Sequence, residues 1–428
     1  MASIIISFVG SQDPGSTVTN QEGSIVTLVK YLLAEKYQIK HIFLLYTEAT
    51  ANNAQLTQEW ITDLIEDSNI QPKQFDLIEV SQQFSADPIN LLLAINEAKK
   101  IIKKAQIIQD QNDYLELNSS SGTPTMKTAW ATLQCARQIP NSRIWQVRNP
   151  REIKENQERV FPTNVDSLNK EFDLKIIKTQ VSNYNYNGAL TTFKSSNLTD
   201  NGLGVYLEYG ANRLASNFSI AQRLISKYKS FFPDRLVRDI NLLTQKNQIH
   251  FLIELFEHTK IKLESQEYAN ALVLLFAFQE AALRYMVREN LTPELKNKSW
   301  NRDMEDILLK KIENYDQGKL YDYLQKYRLR NGQSLKLYSL NRIIMLAILE
   351  YFSVNQQLLN SFNNLEKYCE QRNDFVHQFE GVANISDKEI HHIINNIRVI
   401  LAGLTTIPSQ NSFQVLNEKI DELIDYQY

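Results

Sequence analysis

Near the C-terminus, Arg372, Asn373, Asp374, Phe375, Val376 and His377 set one guanidinium and one imidazole with four residues between them. An imidazole titrates near neutral pH and moves protons to and from oxygen, while a guanidinium holds a phosphate and neutralises charge as it develops. Such a pair suffices to cleave RNA without metal. The reaction it fits is attack by a ribose 2′-hydroxyl on the adjacent phosphate, giving a 2′,3′-cyclic phosphate and a free 5′-hydroxyl. Arg372 would neutralise the phosphorane-like transition state, and His377 would move protons or steady the attacking geometry. Asn373 can hydrogen-bond the phosphate or Arg372; Phe375 and Val376 read as packing residues. Taken alone the motif has a plainer reading, a helix-end histidine satisfied by a carboxylate such as Asp374, and chance supplies Arg and His at this spacing in a chain of 428 residues. On one uninterrupted helix Arg372 and His377 would point roughly 140° apart. Either the helix ends within the motif, or the site is assembled from two copies of it.

The elements that must carry such a site differ between the two halves of the chain. From Ser3 to Val147, short apolar runs alternate with segments of helical period, the pattern of a mostly parallel sheet with helices on both faces. The expected strands are Ile4 to Val9, His41 to Tyr46, Phe75 to Val80, Tyr114 to Asn118 and Arg143 to Val147. Helices fill the gaps, at Glu22 to Glu35, Asn53 to Asp67, Pro88 to Lys104 and Pro124 to Gln138. This is a Rossmann-like α/β domain. Ligands of such sheets sit where strand ends lead into helix N-termini, and two loops suit that role. One follows the first strand: Gly10, Ser11, Gln12, Asp13, Pro14, Gly15, Ser16. The other follows the fourth: Asn118, Ser119, Ser120, Ser121, Gly122, Thr123, then Pro124 as the first residue of a helix. The same residue types serve ordinary turns and N-caps. No G-x-G-x-x-G follows the first strand and there is no G-x-x-x-x-G-K-[ST], which removes most support for a nicotinamide dehydrogenase or a P-loop nucleotidase.

Between Pro150 and Asn183 the pattern loosens, with Lys175 to Thr179 a candidate last strand, and the boundary falls near residue 180: a domain 1–180, then an all-α region 181–428. Tyr184 to Phe193, Asn212 to Tyr228, Asp234 to Thr244, His250 to Lys262 and Gln266 to Glu289 all carry helical spacing. Tyr184 and Tyr186 read as packing residues, and Glu280 with Arg284 as an i,i+4 ion pair. From Lys296 to Arg342, eleven Lys or Arg face six Asp or Glu, interleaved with Trp300, Tyr315, Tyr321, Tyr323, Tyr327 and Tyr338. That stretch suits unpaired RNA, with a solvated helix face as the plainer alternative.

Composition is ordinary, with 43% hydrophobic and 22% charged residues and a net charge of -3, so any RNA-binding surface is local. The two cysteines, Cys135 and Cys369, have no metal-ligand spacing around them and fit a reducing cytosol. His391 and His392 diverge on a helix, and His250 and His258 lack a carboxylate pattern, so no metal is implied. The N-terminus reads as a strand rather than a leader. The most apolar helix, Tyr268 to Val287, is interrupted by Asn270, Gln279, Glu280 and Arg284 and reads as buried in a domain; no segment is expected to span a membrane.

The run N-S-S-S-G-T-P-T-M from Asn118, with the first-strand loop G-S-Q-D-P, resembles the CARF domain of type III CRISPR accessory proteins. In that family a CARF domain commonly precedes a helical HEPN domain carrying Arg-x(4 to 6)-His, and this chain has both parts in that order. The resemblance implies a ribonuclease switched on by cyclic tetra- or hexa-adenylate, cleaving single-stranded RNA, with no cofactor or metal, in a prokaryotic cytoplasm. It implies that Gly10, Ser11, Gln12, Asp13, Asn118, Ser120, Ser121, Gly122 and Thr123 line or shape the activator pocket, with Gln12 where a Thr is common. It also implies a homodimer whose two Arg372–His377 motifs form one composite cleft. Some members slowly cleave their own activator. Two other readings stand beside this one: a binding module that uses its helical half only to dimerise or dock, and a Rossmann-type enzyme acting on a nucleotide with the helical half as a lid.

Overall fold

The structure, a computed structural model, describes residues 2–16, 21–64, 72–163, 165–295, 300–329, 332–368 and 385–427. Arg372, Asn373, His377 and Cys369 lie outside them. The chain divides into two compact units, Met1–Phe172 and Asp173–Tyr428.

The first unit is built on a six-stranded sheet: β1 (Ala2–Phe8), β2 (Gln38–Tyr46), β3 (Phe75–Glu79), β4 (Tyr114–Asn118), β5 (Ser142–Val147) and β6 (Val160–Thr163). Strand order is β3-β2-β1-β4-β5-β6, all parallel except β6, which runs antiparallel to β5. Both faces are covered. The alternation of a strand sends Ile4, Ile6 and Phe8 toward α3 (Leu91–Ile108) and α4 (Pro124–Cys135), where they meet Ala98, Ile101 and Trp130. Ile5 and Val9 turn the other way, toward α1 (Ser24–Ala34) and α2 (Ala51–Leu64), against Ile25, Leu28 and Ile61. Burial on both faces is why β1 is an unbroken apolar run; each such side chain adds about 1.5–3 kcal/mol. The order reverses between β1 and β4. That switch point opens a crevice at the carboxyl ends of both strands.

The five expected strands are present, and the sheet has a sixth that the apolar pattern did not show. Lys175–Thr179 is not a strand: it lies within α5 (Asp166–Ser182), where Leu174, Ile177 and Val181 recur at helical spacing and face a core.

The second unit is helical among its described residues: α6 (Tyr186–Ser195), α7 (Leu203–Leu214), α8 (Phe218–Lys227), α9 (Asp234–Thr244), α10 (Gln248–Glu264), α11 (Tyr268–Leu291), α12 (Arg302–Asn314), α13 (Lys319–Lys326), α14 (Arg342–Tyr351), α15 (Gln356–Asn364), α16 (Asp387–Ala402) and α17 (Ser412–Gln427). Four tight connections share one device. Tyr184, Ser216, Lys246 and Gln266 take positive φ of 56°, 60°, 59° and 59°. The next residue's N–H then closes back onto the carbonyl of Gln180, Asn212, Leu242 or Lys262 at 2.8–2.9 Å, a Schellman-type closure. Asn185 and Asn247 go on to cap the following helix, accepting from Gly188 N at 3.0 Å and His250 N at 3.2 Å.

α11 is the one helix among the described residues long and apolar enough to cross a membrane. It lies in a core, with Leu272, Leu275, Phe278, Leu283 and Val287 buried against α10, α12 and α14.

Candidate functional site

The loop after β1 and the loop after β4 meet over the switch point. Gly10 makes their approach possible: a Cβ there would stand 2.8 Å from the Gly122 amide nitrogen. Gly122 itself has φ +85° and lies against Met126. Asp13, 3% exposed, fastens the junction. Its Oδ2 accepts from the Gly10 amide at 3.0 Å and from the Ser121 hydroxyl, and its Oδ1 faces the Ile25 amide in the first turn of α1 at 3.4 Å. Burial raises the Asp13 carboxyl above its ordinary value of 3.8, against the pull of Ser121 and the two amides.

The resulting cavity is about 350 Å³, and Gly10, Ser11, Gln12, Asp13, Ser120, Ser121 and Gly122 all border it. Asn118 and Thr123 lie outside its lining. Asn118 is fully buried beneath the loop, donating to Ser7 Oγ at 3.1 Å and Ser24 Oγ at 3.3 Å and accepting from the Ser120 amide at 2.9 Å. Thr123 caps α4: its Oγ1 accepts from Met126 N at 3.3 Å and donates to the Pro88 carbonyl at 2.8 Å.

Three cations that the loop motifs did not point to also border the cavity: Lys127 on α4, Arg148 just after β5 and Arg159 just before β6. Arg148 stacks over Phe161, 3.8 Å from the ring centroid. Arg159 donates through Nη2 to the Glu22 carbonyl at 3.3 Å, and its buried Nε–H has no acceptor among the described residues. The N-terminus of α1, with Gly23 at the N-cap and no side-chain cap, opens on the same space. Cations, small hydroxyls and a positive helix end around one polar cavity can hold a phosphorylated ligand. Only Lys127 had a nearby signal, as the residue following T-P-T-M.

In the helical unit, Tyr186 is buried and donates to Asn417 at 2.6 Å, and Tyr184 packs edge-on to Phe413. Glu280 and Arg284 pair at 2.5 Å. Trp300, Tyr315, Tyr321, Tyr323 and Tyr327 pack on the hydrophobic core, and Tyr338 is 75% exposed; residues 296–299 and 330–331 of that basic stretch lie outside the described residues. A buried charge cluster ties helices together. Arg213 donates to both oxygens of Glu254, at 2.9 and 2.7 Å, and to Tyr209 at 3.0 Å. Burial alone would raise Glu254, but Arg213 and His258 outweigh it and hold the carboxyl at about 2. Burial lifts the neighbouring Glu257 to about 7. Among the described residues no three His, Cys, Asp or Glu come together as a metal site.

Residues 242–421 match the family model of the Cas_Csm6 HEPN domain. Along its length the chain also matches the solved structure of Enterococcus italicus Csm6 bound to cyclic hexa-2′-fluoro-hexa-dAMP, with a TM-score of 0.70 and 15% identity, covering 99% of this chain and 100% of that one. No curated protein matches by sequence. The first unit is a Rossmann-like sheet with a polar crevice at its switch point, and the helical region after it contains the span that matches the HEPN model. In fold the whole chain is similar to that Csm6 structure, and residues 242–421 are similar to the Csm6 HEPN domain.

Proposed function

We propose that this chain is an endoribonuclease activated by cyclic oligoadenylate, cleaving single-stranded RNA without metal in type III CRISPR defence. The observation that carries the reading is that the matched HEPN span, residues 242–421, encloses Arg372, Asn373 and His377. The pocket of the first unit supports the sensing half. A ring of nucleotides carries one phosphate charge per unit, and Lys127, Arg148, Arg159 and the α1 N-terminus offer the matching field. The solved relative holds a cyclic hexanucleotide analogue, so the six-membered ring is the first to test. Arg372 neutralises the phosphorane, His377 serves proton transfer, and Asn373 orients the phosphate. Two chains pair to bring both motifs together. The ring shifts the dimer toward its active arrangement by binding that arrangement more tightly.

The chemistry is tested with cyclic hexa-adenylate and a chelator, on RNA and on the same strand carrying 2′-deoxyribose throughout. RNA should yield 5′-hydroxyl and 2′,3′-cyclic phosphate ends and the deoxy strand should stay intact. Cleavage of the deoxy strand would overturn attack by the 2′-hydroxyl.

A further inference from the structure

Between α13 and α14 the chain makes a connection, Tyr327 to Asn341, described except for residues 330–331. It is longer than the roughly two to eight residues usual between packed helices, and connections of such length tend to carry function. This one is pinned down. An antiparallel bridge joins Arg328 to Ser334, the Leu329 amide donates to the Gln333 carbonyl at 2.9 Å, and Gly332 takes φ +80°. Beyond the bridge the side chains alternate: Leu335 and Leu337 pack on the hydrophobic core, while Lys336 and Tyr338 are exposed. Leu340 is buried, and its amide donates to Glu305. Alternation sets Lys336 and Tyr338 on one outward side, about 7 Å apart along the chain.

Core packing does not require what that outward side carries. The Tyr338 ring meets no other ring or cation among the described residues. Arg328 and Lys336 are exposed and form no ion pair among them; Arg328 donates to two backbone carbonyls, Gln325 at 2.8 Å and Tyr327 at 3.1 Å. From Tyr323 to Leu349 the sequence has five Lys or Arg and no Asp or Glu, so no carboxylate along the segment competes for these cations. Anchored cations beside a free aromatic face suit a single-stranded nucleic acid, whose phosphates take the cations and whose bases take the ring. An acidic peptide would leave the ring without a partner. The connection ends at Arg342, which donates to Glu366 at 3.1 Å and to the Phe362 carbonyl at 2.8 Å; Arg372 follows Glu366 by six residues. We propose that Arg328, Lys336 and Tyr338 hold the substrate strand, with one base stacked on Tyr338 and phosphates on the two cations. Resting on the ribonuclease reading above, this assigns the grip on RNA to residues that take no part in breaking the bond.

The test is fluorescence anisotropy of a labelled oligouridylate of about twelve nucleotides. It is titrated with the full chain carrying His377→Ala, so that no strand is cut, in the presence of cyclic hexa-adenylate. In that background Tyr338→Ala should weaken binding about tenfold, while Tyr338→Phe keeps the stacking face and should bind like its parent. Lys336→Gln should lower the slope of log affinity against log salt by about 0.7. Polyglutamate of equal charge should bind at least about tenfold more weakly than the RNA, having no base to stack. Absence of saturable RNA binding, undiminished affinity in Tyr338→Ala, an equal loss in Tyr338→Phe, an unchanged salt slope in Lys336→Gln, or polyglutamate binding as tight as that of RNA would each overturn the proposal. The ribonuclease reading is judged separately, by cleavage with His377 intact: RNA that binds through Tyr338 and is never cut would refute that reading alone.

Discussion

Asp13 is buried with two amides and a hydroxyl turned toward it, so both of its oxygens are in use. An amide in its place has one acceptor oxygen, and its NH₂ must face at least one of those donors. Asp13→Asn is therefore expected to cost about 1–3 kcal/mol in chemical denaturation and to weaken ring binding by spreading the two loops. Unchanged ring affinity in a destabilised variant would mean that loop spacing does not set the site. Which residues border the cavity was unevenly legible. Gly10, Asp13 and Ser121 were readable as bordering it because a strand end followed by small polar residues is where such sheets open a crevice. Arg148 and Arg159 were not, because their nearness to the loops depends on the antiparallel β5–β6 pairing, which brings Arg148 N to Arg159 O at 2.8 Å.

At the scale of elements, the helical unit uses non-glycine residues in left-handed backbone at its connections, a conformation that costs roughly 1 kcal/mol. Lys246→Gly keeps the closure of Asn247 N onto Leu242 O and removes that cost. It should raise stability by about 0.5–1 kcal/mol in urea melts; a loss would show that the Lys246 side chain makes a contact worth more than the strain. These breaks also explain a misreading. Asn212 to Tyr228 has continuous helical spacing, yet it is the end of α7 and all of α8, divided at Ser216, where periodicity carries no mark of a one-residue reversal. The C-terminal helix is tied in by hydrogen bonds as well as packing: the Ser412 amide donates to Glu257 at 3.1 Å and its hydroxyl to Asp239 at 3.0 Å. Because burial lifts Glu257 from 4.5 to about 7, the folded chain holds a proton that the unfolded chain has released. Its contribution is complete below the ordinary value and is lost as pH rises through about 7. Glu257→Gln keeps the acceptor for Ser412 and should gain on the wild type as pH is raised from about 5 to about 8. Parallel stability curves for the two proteins would reject this titration.

At the scale of the whole molecule, the alternation of short apolar runs and helices in one half and the purely helical period in the other made the architecture legible. Both patterns record which faces are buried. The proposed coupling between halves would leave no such record, because it would depend on how a ring's binding energy differs between two arrangements. The most direct test of the account is cleavage of a fluorescent single-stranded RNA, without divalent metal, by wild type and His377→Ala, each with and without cyclic hexa-adenylate. The account predicts cleavage only by the wild type with the ring present, and ring binding by both proteins. Equal cleavage by His377→Ala, or cleavage indifferent to a ring that binds, would contradict it.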